Sequence, residues 1–387
     1  MPELDALRRI IDARLPRFMA ELETMVNIDC GSYTAGGVNR IADLVVTALH
    51  GLGATVERIP HASTGGATAL GDLVIGRIEG DGPHTLLIGH MDTVFEAGTA
   101  AERPFRVQGD RALGPGVTDM KAGLLAGLHA VAALREAGAR PAVTFLANPD
   151  EEIGSPFSTP FIQELAPQHD VVLVLECARA NGDIVSARKG VADYHLALTG
   201  RAAHAGVEPE KGRSAILEAA HQVLVLHALN GHWPTVTVNA GVIHGGTRPN
   251  VVAERCELQI DLRAATREAF DAAAAEVERL AASPTVADIH SDLRRIASHP
   301  PMEKSEASAR LVASAVAIAA ELGFGLRDAA TGGASDANTT AALGVPTIDG
   351  LGPVGGDDHS VDEWLDLSSI VPRTSLLAGL IDRIGGS

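Results

Sequence analysis

The stretch Leu87–Ile88–Gly89–His90–Met91–Asp92–Thr93–Val94 decides how the chain is read. The apolar run Thr85–Leu86–Leu87–Ile88 reads as a buried strand, and it leads into a histidine and an aspartate two positions apart. Side chains two apart on an extended chain share one face, so the strand delivers an imidazole and a carboxylate side by side. It does so at its carboxyl end, where open α/β sheets place their ligands. A carboxylate beside a histidine can orient it as a metal ligand by accepting its other N–H. Taken alone, the pair also fits a histidine near a strand end with a solvated aspartate.

The surrounding segments alternate. Helix-like stretches cover residues 4–22, 38–52 and 123–137, and apolar strand-like runs sit at 73–78, 85–88, 142–147 and 171–175. Such alternation argues for α/β architecture with a mainly parallel sheet and helices on both faces. From about residue 189 the pattern changes: 191–199, 235–242 and 256–263 alternate as strands, while 214–230 and 266–282 read as helices. That order predicts a small antiparallel sheet carrying helices on one face. After about residue 301 the α/β character returns, with helices at 308–322 and 369–384. The expected organisation is one discontinuous domain, residues 1–188 and 298–387, with a smaller domain, 189–297, inserted into it.

The bulk numbers agree with two domains, since 387 residues is long for one core. Aromatic residues make up only 3%, so aliphatic side chains and alanine must fill the interior. The net charge of −18 argues against nucleic acid as a partner, because phosphate contacts need basic surface. Cys30, Cys177 and Cys256 are widely spaced and include no CxxC pair, which suggests neither a disulfide framework nor a thiolate zinc site. The N-terminal segment reads as an amphipathic helix and lacks the pattern of a signal peptide. No run of about 18 uncharged apolar residues occurs, so no membrane partner and a cytoplasmic location are expected.

Further polar residues fall where loops follow strands. Gly114–Pro115–Gly116–Val117–Thr118–Asp119–Met120–Lys121 is a Gly/Pro loop leading into an apolar helix, and Asp119 there also fits a helix N-cap. Asn148–Pro149–Asp150–Glu151–Glu152 places three successive acids, which repel unless a cation or a raised pKa relieves them; a solvated loop tip is the alternative. Glu176 closes an apolar strand, where an unpaired buried carboxylate is costly. Gly355–Gly356–Asp357–Asp358–His359–Ser360 adds a second histidine in a Gly-rich loop. Nitrogen and oxygen donors without thiolate suit zinc, cobalt or manganese. Two such ions bridged by one carboxylate, with a spare glutamate as general base, is the arrangement of two-metal hydrolases.

These segments resemble the M20 family of metallopeptidases, and within it the glutamate carboxypeptidase branch. The matching stretches are His90–Met91–Asp92, Gly114–Pro115–Gly116 with Asp119–Met120–Lys121, Glu151–Glu152, Glu176, Ala203–His204–Ala205–Gly206, Arg248–Pro249–Asn250, Asp261–Leu262–Arg263, Gly332–Gly333–Ala334–Ser335–Asp336 and His359–Ser360. They run in family order across nearly the whole chain. The resemblance implies a zinc-peptidase-type catalytic domain with an inserted α+β, ferredoxin-like lid or dimerisation domain. It implies two divalent metal ions, zinc first, with Asp119 bridging them, His90 and Glu176 completing one shell, and Glu152 with His359 the other. Asp92 would orient His90, Glu151 would be the general base, and the Asp119–Met120 peptide would be cis.

Substrate residues would come mainly from the inserted domain. His204 would reach the partner subunit's active site in a homodimer and steady the oxyanion. Arg263 would grip a terminal carboxylate, since a guanidinium there needs a partner; Asn250 would add a hydrogen bond, and Lys189 or Arg188 and the backbone of Gly333 complete the set. Pro115 stands where many members carry Arg, a feature shared by the glutamate carboxypeptidase branch, whereas Ser335 replaces the Thr of that branch. Neither is a ligand, so both bear on substrate rather than on chemistry.

The implied reaction is hydrolysis of the amide joining an acyl or peptidyl group to a C-terminal amino acid. An aminoacylase or an auxin-conjugate-type amidohydrolase would use the same machinery with another acyl pocket. A non-catalytic metal- or peptide-binding relative would have lost Glu151 or a ligand, and all are present. A di-metal phosphatase would need a basic phosphate cradle, which the sequence lacks.

Overall fold

The computed structural model describes residues 2–62 and 68–384. The chain opens with α1 (Leu4–Val26), α2 (Ala35–Gly51) and strands β1 (Thr55–Ile59), β2 (Leu73–Ile78) and β3 (Asp81–His90). Short elements α3 (Thr99–Glu102), β4 (Arg106–Gln108) and β5 (Arg111–Leu113) lead to α4 (Ala122–Glu136). Next come β6 (Pro141–Asn148), α5 (Thr159–Leu165), β7 (Val171–Val174) and β8 (Ile184–Arg188). The insertion holds β9 (Gly190–Thr199), α6 (Ala215–His227), β10 (Thr237–Gly245), β11 (Arg255–Ala264), α7 (Arg267–Ala281) and β12 (His290–His299). The chain ends through α8 (Glu306–Glu321), β13 (Asp328–Thr331), α9 (Asp336–Ala342), β14 (Thr347–Ile348), β15 (Gly355–Gly356), β16 (Trp364–Asp366) and α10 (Ile370–Arg383).

Two compact units result. One comprises Ala187–Glu303 with Thr331–Ala334, and the other holds the remaining described residues. The insertion is wider than the 189–297 expected from sequence. β12 pairs with β9 as far as His299, and Arg188 and Met302 exchange backbone hydrogen bonds of 3.0 Å beyond it. Lys189 N–H donates to Thr331 O, which ties the 331–334 segment to the same unit.

The larger unit is built on a six-stranded sheet in the order β1-β2-β6-β3-β7-β14. The three pairings around β6, β3, β7 and β14 are parallel, and β1–β2 and β2–β6 are antiparallel. Parallel strands in mid-sheet are covered on both faces, so their residues are apolar without alternation. All eight residues of β6 and the last six of β3 are buried. Helix α4 packs on β3 and β6 with α1 and α10 behind it, and α9 packs against β7 and β14. Gly123 is required in α4: a Cβ there would lie 1.9 Å from the Leu175 carbonyl oxygen. Val117–Glu136 has the length and mean hydropathy (1.2) of a membrane span, yet 94% of that window is buried by the protein itself. A smaller sheet, β15-β16-β5-β4, lies in the same unit.

The smaller unit is a four-stranded antiparallel sheet in the order β10-β11-β9-β12. Burial alternates along β9 and β11, and the buried face meets α6 and α7 through Leu196, Leu198, Leu258, Ile260, Leu262, Phe270 and Val277. Ser214 and Thr266 cap these helices through Leu217 and Ala269 N–H, which explains where each helix begins.

Candidate metal centre

His90 ends β3 between two parallel neighbours. Its register partner on β6 is Asn148, so the turn bearing Glu151 and Glu152 opens on one side of it. Ile88 pairs with Val174 of β7, and Glu176 follows on the other side. Three adjacent parallel strands therefore converge their carboxyl-end side chains on one point. Asp119 enters from the turn between β5 and α4, where the Asp119–Met120 peptide is cis. His359 enters from the loop joining β15 to β16.

Among the described residues two groups of donors form, and Asp119 belongs to both. In the first, His90 Nε2 lies 3.1 Å from Asp119 Oδ1 and 3.5 Å from Glu176 Oε1. In the second, His359 Nε2 lies 3.2 Å from both Asp119 Oδ2 and Glu152 Oε2. One imidazole N–H can satisfy one acceptor well, whereas here each ring nitrogen faces two carboxylate oxygens. A cation satisfies them all. The separations also match the edge of a tetrahedron around zinc, about 3.3 Å for bonds of about 2.0–2.1 Å. The donor set thus fits a divalent ion in each group.

The local fields agree. Burial opposes ionisation of Asp119, yet hydrogen bonds from His359 and His90 hold its carboxyl well below the usual range. The Asp119 and Glu152 carboxylates push His359 up to about 10. Burial raises Glu176 to about 7 despite His90. Glu151 belongs to neither donor group. Burial, with the Glu176 charge next in effect, pushes its carboxyl well above the ordinary value.

Residues 86–383 match peptidase family M20/M25/M40. Over 376 residues the chain is 35% identical to carboxypeptidase G2 of Pseudomonas sp. strain RS-16, a span of 96% of this chain and 90% of that protein. The chain belongs to this M20 family. It is also 27% identical over 394 residues to acetylornithine deacetylase of Edwardsiella ictaluri, covering 96% of this chain and 98% of that one. The crystal structure of aminopeptidase PepT from Bacillus cereus shares its fold, with a TM-score of 0.77 at 22% identity, covering 96% of this chain and 98% of that one. This M20 protein is accordingly a metallopeptidase-family hydrolase that cleaves amide or peptide bonds.

Of the residues singled out in the M20 sequence, the structure brings His90, Asp119, Glu152, Glu176 and His359 together. Asp92 lies against His90 and meets it mainly through its main chain. His90 Nδ1 meets the main-chain oxygen of Asp92 at 3.0 Å, while the carboxylate is farther, at 3.4 Å. That carboxylate instead accepts Ser32 Oγ–H at 2.6 Å and the amides of Glu151 and Glu152 at 3.2 Å each. Asp92 therefore holds the Glu151–Glu152 turn as well as the histidine. Asp150 is buried and accepts from Ser158 and from the amide of Phe157 at 2.6 Å, so it anchors the same turn from below.

In the smaller unit, the His204 segment runs beside the Asn250 segment: Ala205 N–H donates to Asn250 O at 3.0 Å, and Val252 N–H to Ala203 O at 2.9 Å. His204 is exposed and its Nδ1 accepts Gly206 N–H. Arg263 is not waiting for a partner, as its expected role assumed. Asp261, two positions away on β11, takes Nε and Nη2 at 3.0–3.1 Å, and Gly332 O takes Nη1 at 2.8 Å. Two of its five N–H donors remain. Arg188 Nη1 donates to Gly333 O, and Lys189 Nζ to Thr235 O. Ser32 and Glu363, both buried beside this centre, were not singled out in the sequence. Each acts over long range, and no local pattern marks such a residue.

Proposed function

We propose that the protein is a carboxypeptidase-type amidohydrolase that removes a C-terminal amino acid from an N-acyl amino acid or short peptide, using two divalent ions, zinc first. The observation that carries this is the turn Glu151–Glu152. Glu152 serves a donor group, while its neighbour Glu151 stays outside both groups with raised basicity, and Asp92 grips both amides. Bound ions would polarise the substrate carbonyl and acidify the attacking water. Glu151 then takes the proton from that water and delivers it to the leaving amine. His204, supplied by a partner subunit, steadies the oxyanion. Asp261 fixes the Arg263 guanidinium, whose two remaining donors take the substrate carboxylate, with Asn250, Lys189 and the Gly333 backbone around it.

Pairing through the smaller unit is supported by its surface. β10 is an edge strand with Ile243 exposed, and α6, packed against it, exposes Leu217 and Leu224, the latter at 69%. The three cysteines are free and buried, which supports a reducing, cytoplasmic setting. The likeness to acetylornithine deacetylase favours one second reading, an N-acyl amino acid deacylase with the same centre. Assaying the zinc-loaded protein on N-acylglutamate, N-acylaspartate and N-acetyl neutral amino acids, each with its C-terminal amide, tests both. Preference for a free acid supports carboxypeptidase action, and equal turnover of the amides refutes it.

A further inference from the structure

The loop that carries His359 ends in a buried acid, Glu363, which the chemistry above does not use. Glu363 is 1% exposed. Its Oε2 accepts the amide of Gly116 at 2.8 Å, and its Oε1 accepts those of Thr118 at 2.9 Å and Asp119 at 3.1 Å. A buried carboxylate is tolerated where hydrogen bonds replace its water, and here all of them come from one turn. That turn ends in Asp119, the residue common to both donor groups.

The surroundings make the turn and the His359 loop one mechanical piece. Trp364, next to Glu363, pairs with Leu113, the last residue of β5 before the turn. Gly355, at the other end of the loop, lies so close to the turn that a Cβ would sit 1.9 Å from Thr118 Oγ1. From the opposite side the buried Lys121 donates to Pro115 O at 2.9 Å and Ile28 O at 3.3 Å. Side-chain hydrogen bonds from Glu363 and Lys121 therefore both hold the turn.

We propose that Glu363 is a positioning residue: from the loop that supplies His359 it grips three amides of the Asp119 turn, fixes the Asp119–His359 spacing, and so lets both donor groups form together. This rests on the metal-centre function proposed above, but not on the role of Glu151. Glu363→Gln keeps the shape and turns an NH₂ group towards at least one backbone N–H, so the grip fails without a cavity. The full-length variant, stripped and titrated with zinc against a chromogenic chelator, is expected to bind both ions at least 10-fold more weakly, the range seen when partners that orient ligands are lost. Turnover should fall in kcat with KM little changed, and excess zinc should restore part of it, which a general folding defect would not allow.

Zinc affinity within about 2-fold of wild type, whatever the melting temperature does, would overturn the proposal; so would weakening at one site alone, because Asp119 is shared. Should Glu363→Gln fail to fold, Glu363→Asp keeps the charge but draws it back by one methylene. It should weaken both sites in the same pattern, and unchanged affinity there overturns the proposal equally. A wild type that binds a single ion would refute the two-ion function, whereas weakening of that ion by Glu363→Gln would still support the grip on Asp119.

Discussion

Asp119 Oδ1 lies 3.1 Å from His90 Nε2, while Oδ2 of the same carboxylate lies 3.2 Å from His359 Nε2. Two histidines far apart in sequence thus meet one carboxylate, and each brings a glutamate of its own. The arrangement makes the residues unequal: Asp119 serves both donor groups and each glutamate serves one. Asp119→Ala is expected to weaken zinc binding at both, whereas Glu176→Gln should weaken one. Chelator competition, read as ions retained per subunit, checks this, and one tight site surviving in Asp119→Ala would refute the sharing.

Glu151→Gln is expected to cut kcat by at least about 100-fold, since general-base catalysis typically contributes 10²–10⁴-fold. Zinc content should stay at the wild-type level, because the Glu151 side chain is outside both donor groups. Metal analysis and turnover on the same sample separate the two effects. A variant with lost zinc would place Glu151 among the ligands instead.

Asp92 holds the amides of Glu151 and Glu152 and sits against His90, so one carboxylate touches the proposed base and two of the proposed ligands together. Asp92→Asn turns an amide NH₂ towards groups that are themselves donors. Zinc affinity should fall about 10–100-fold, the usual effect of losing a group that orients ligands. The kcat of the fully zinc-loaded variant should fall too, because the Glu151 turn loosens. Ser32→Ala, which removes only the 2.6 Å bond to Asp92, should show the same pattern more weakly.

Metal loading should release protons. Without metal, His359 stays protonated at pH 7, because Asp119 and Glu152 push it up to about 10. A metal needs the neutral ring, so the proton must leave. The sign follows: apparent zinc affinity rises with pH across the neutral range, about 10-fold per unit for each proton released. Because the folded pKa lies above the usual 6.5, the His359 contacts stabilise the metal-free protein at neutral pH and are lost as pH climbs through about 10. Calorimetry of zinc binding in buffers of different ionisation enthalpy counts the protons. Identical heats in all buffers would contradict the expectation.

His90, Glu151, Glu152 and Glu176 were legible because they close apolar strands, whereas Asp119 and His359 sit in Gly-rich loops and enter the ligand set only through the resemblance to the M20 family. The runs at 73–78 and 142–147 lie within β2 and β6, and the charges at 90, 151, 152 and 176 follow buried strand residues. β12 was not legible, since only exposed and half-buried residues compose it and no alternation of apolar side chains marks it. β4 and β5 are three residues each, too short for any period. Glu363 and Ser32 escape for another reason: their partners are backbone amides and a carboxylate far away in sequence. The sequence reading leaves Arg263 without a protein partner, although the strand period places Asp261 beside it. Residues two apart on a strand share a face, which pairs them just as it brings His90 to Asp92.

That pair sets the last expectation. Asp261 occupies the Nε side of the Arg263 guanidinium, which leaves two donors pointing elsewhere and fixes their direction. If those donors take a substrate carboxylate, Arg263→Ala should cost on the order of 2–5 kcal/mol of acid-over-amide preference, the range for removing one partner of a charged pair. Lysine should not rescue it, because an ammonium cannot hold Asp261 and a substrate carboxylate in one plane. Asp261→Asn separates orientation from charge: it keeps the cation but weakens its fixing, so part of the preference should survive. Measuring kcat/KM for an N-acyl amino acid and its C-terminal amide in wild type and the three variants decides the matter. An unchanged preference in Arg263→Ala would leave Arg263 as the structural partner of Asp261 and move the carboxylate to Lys189 or Arg188.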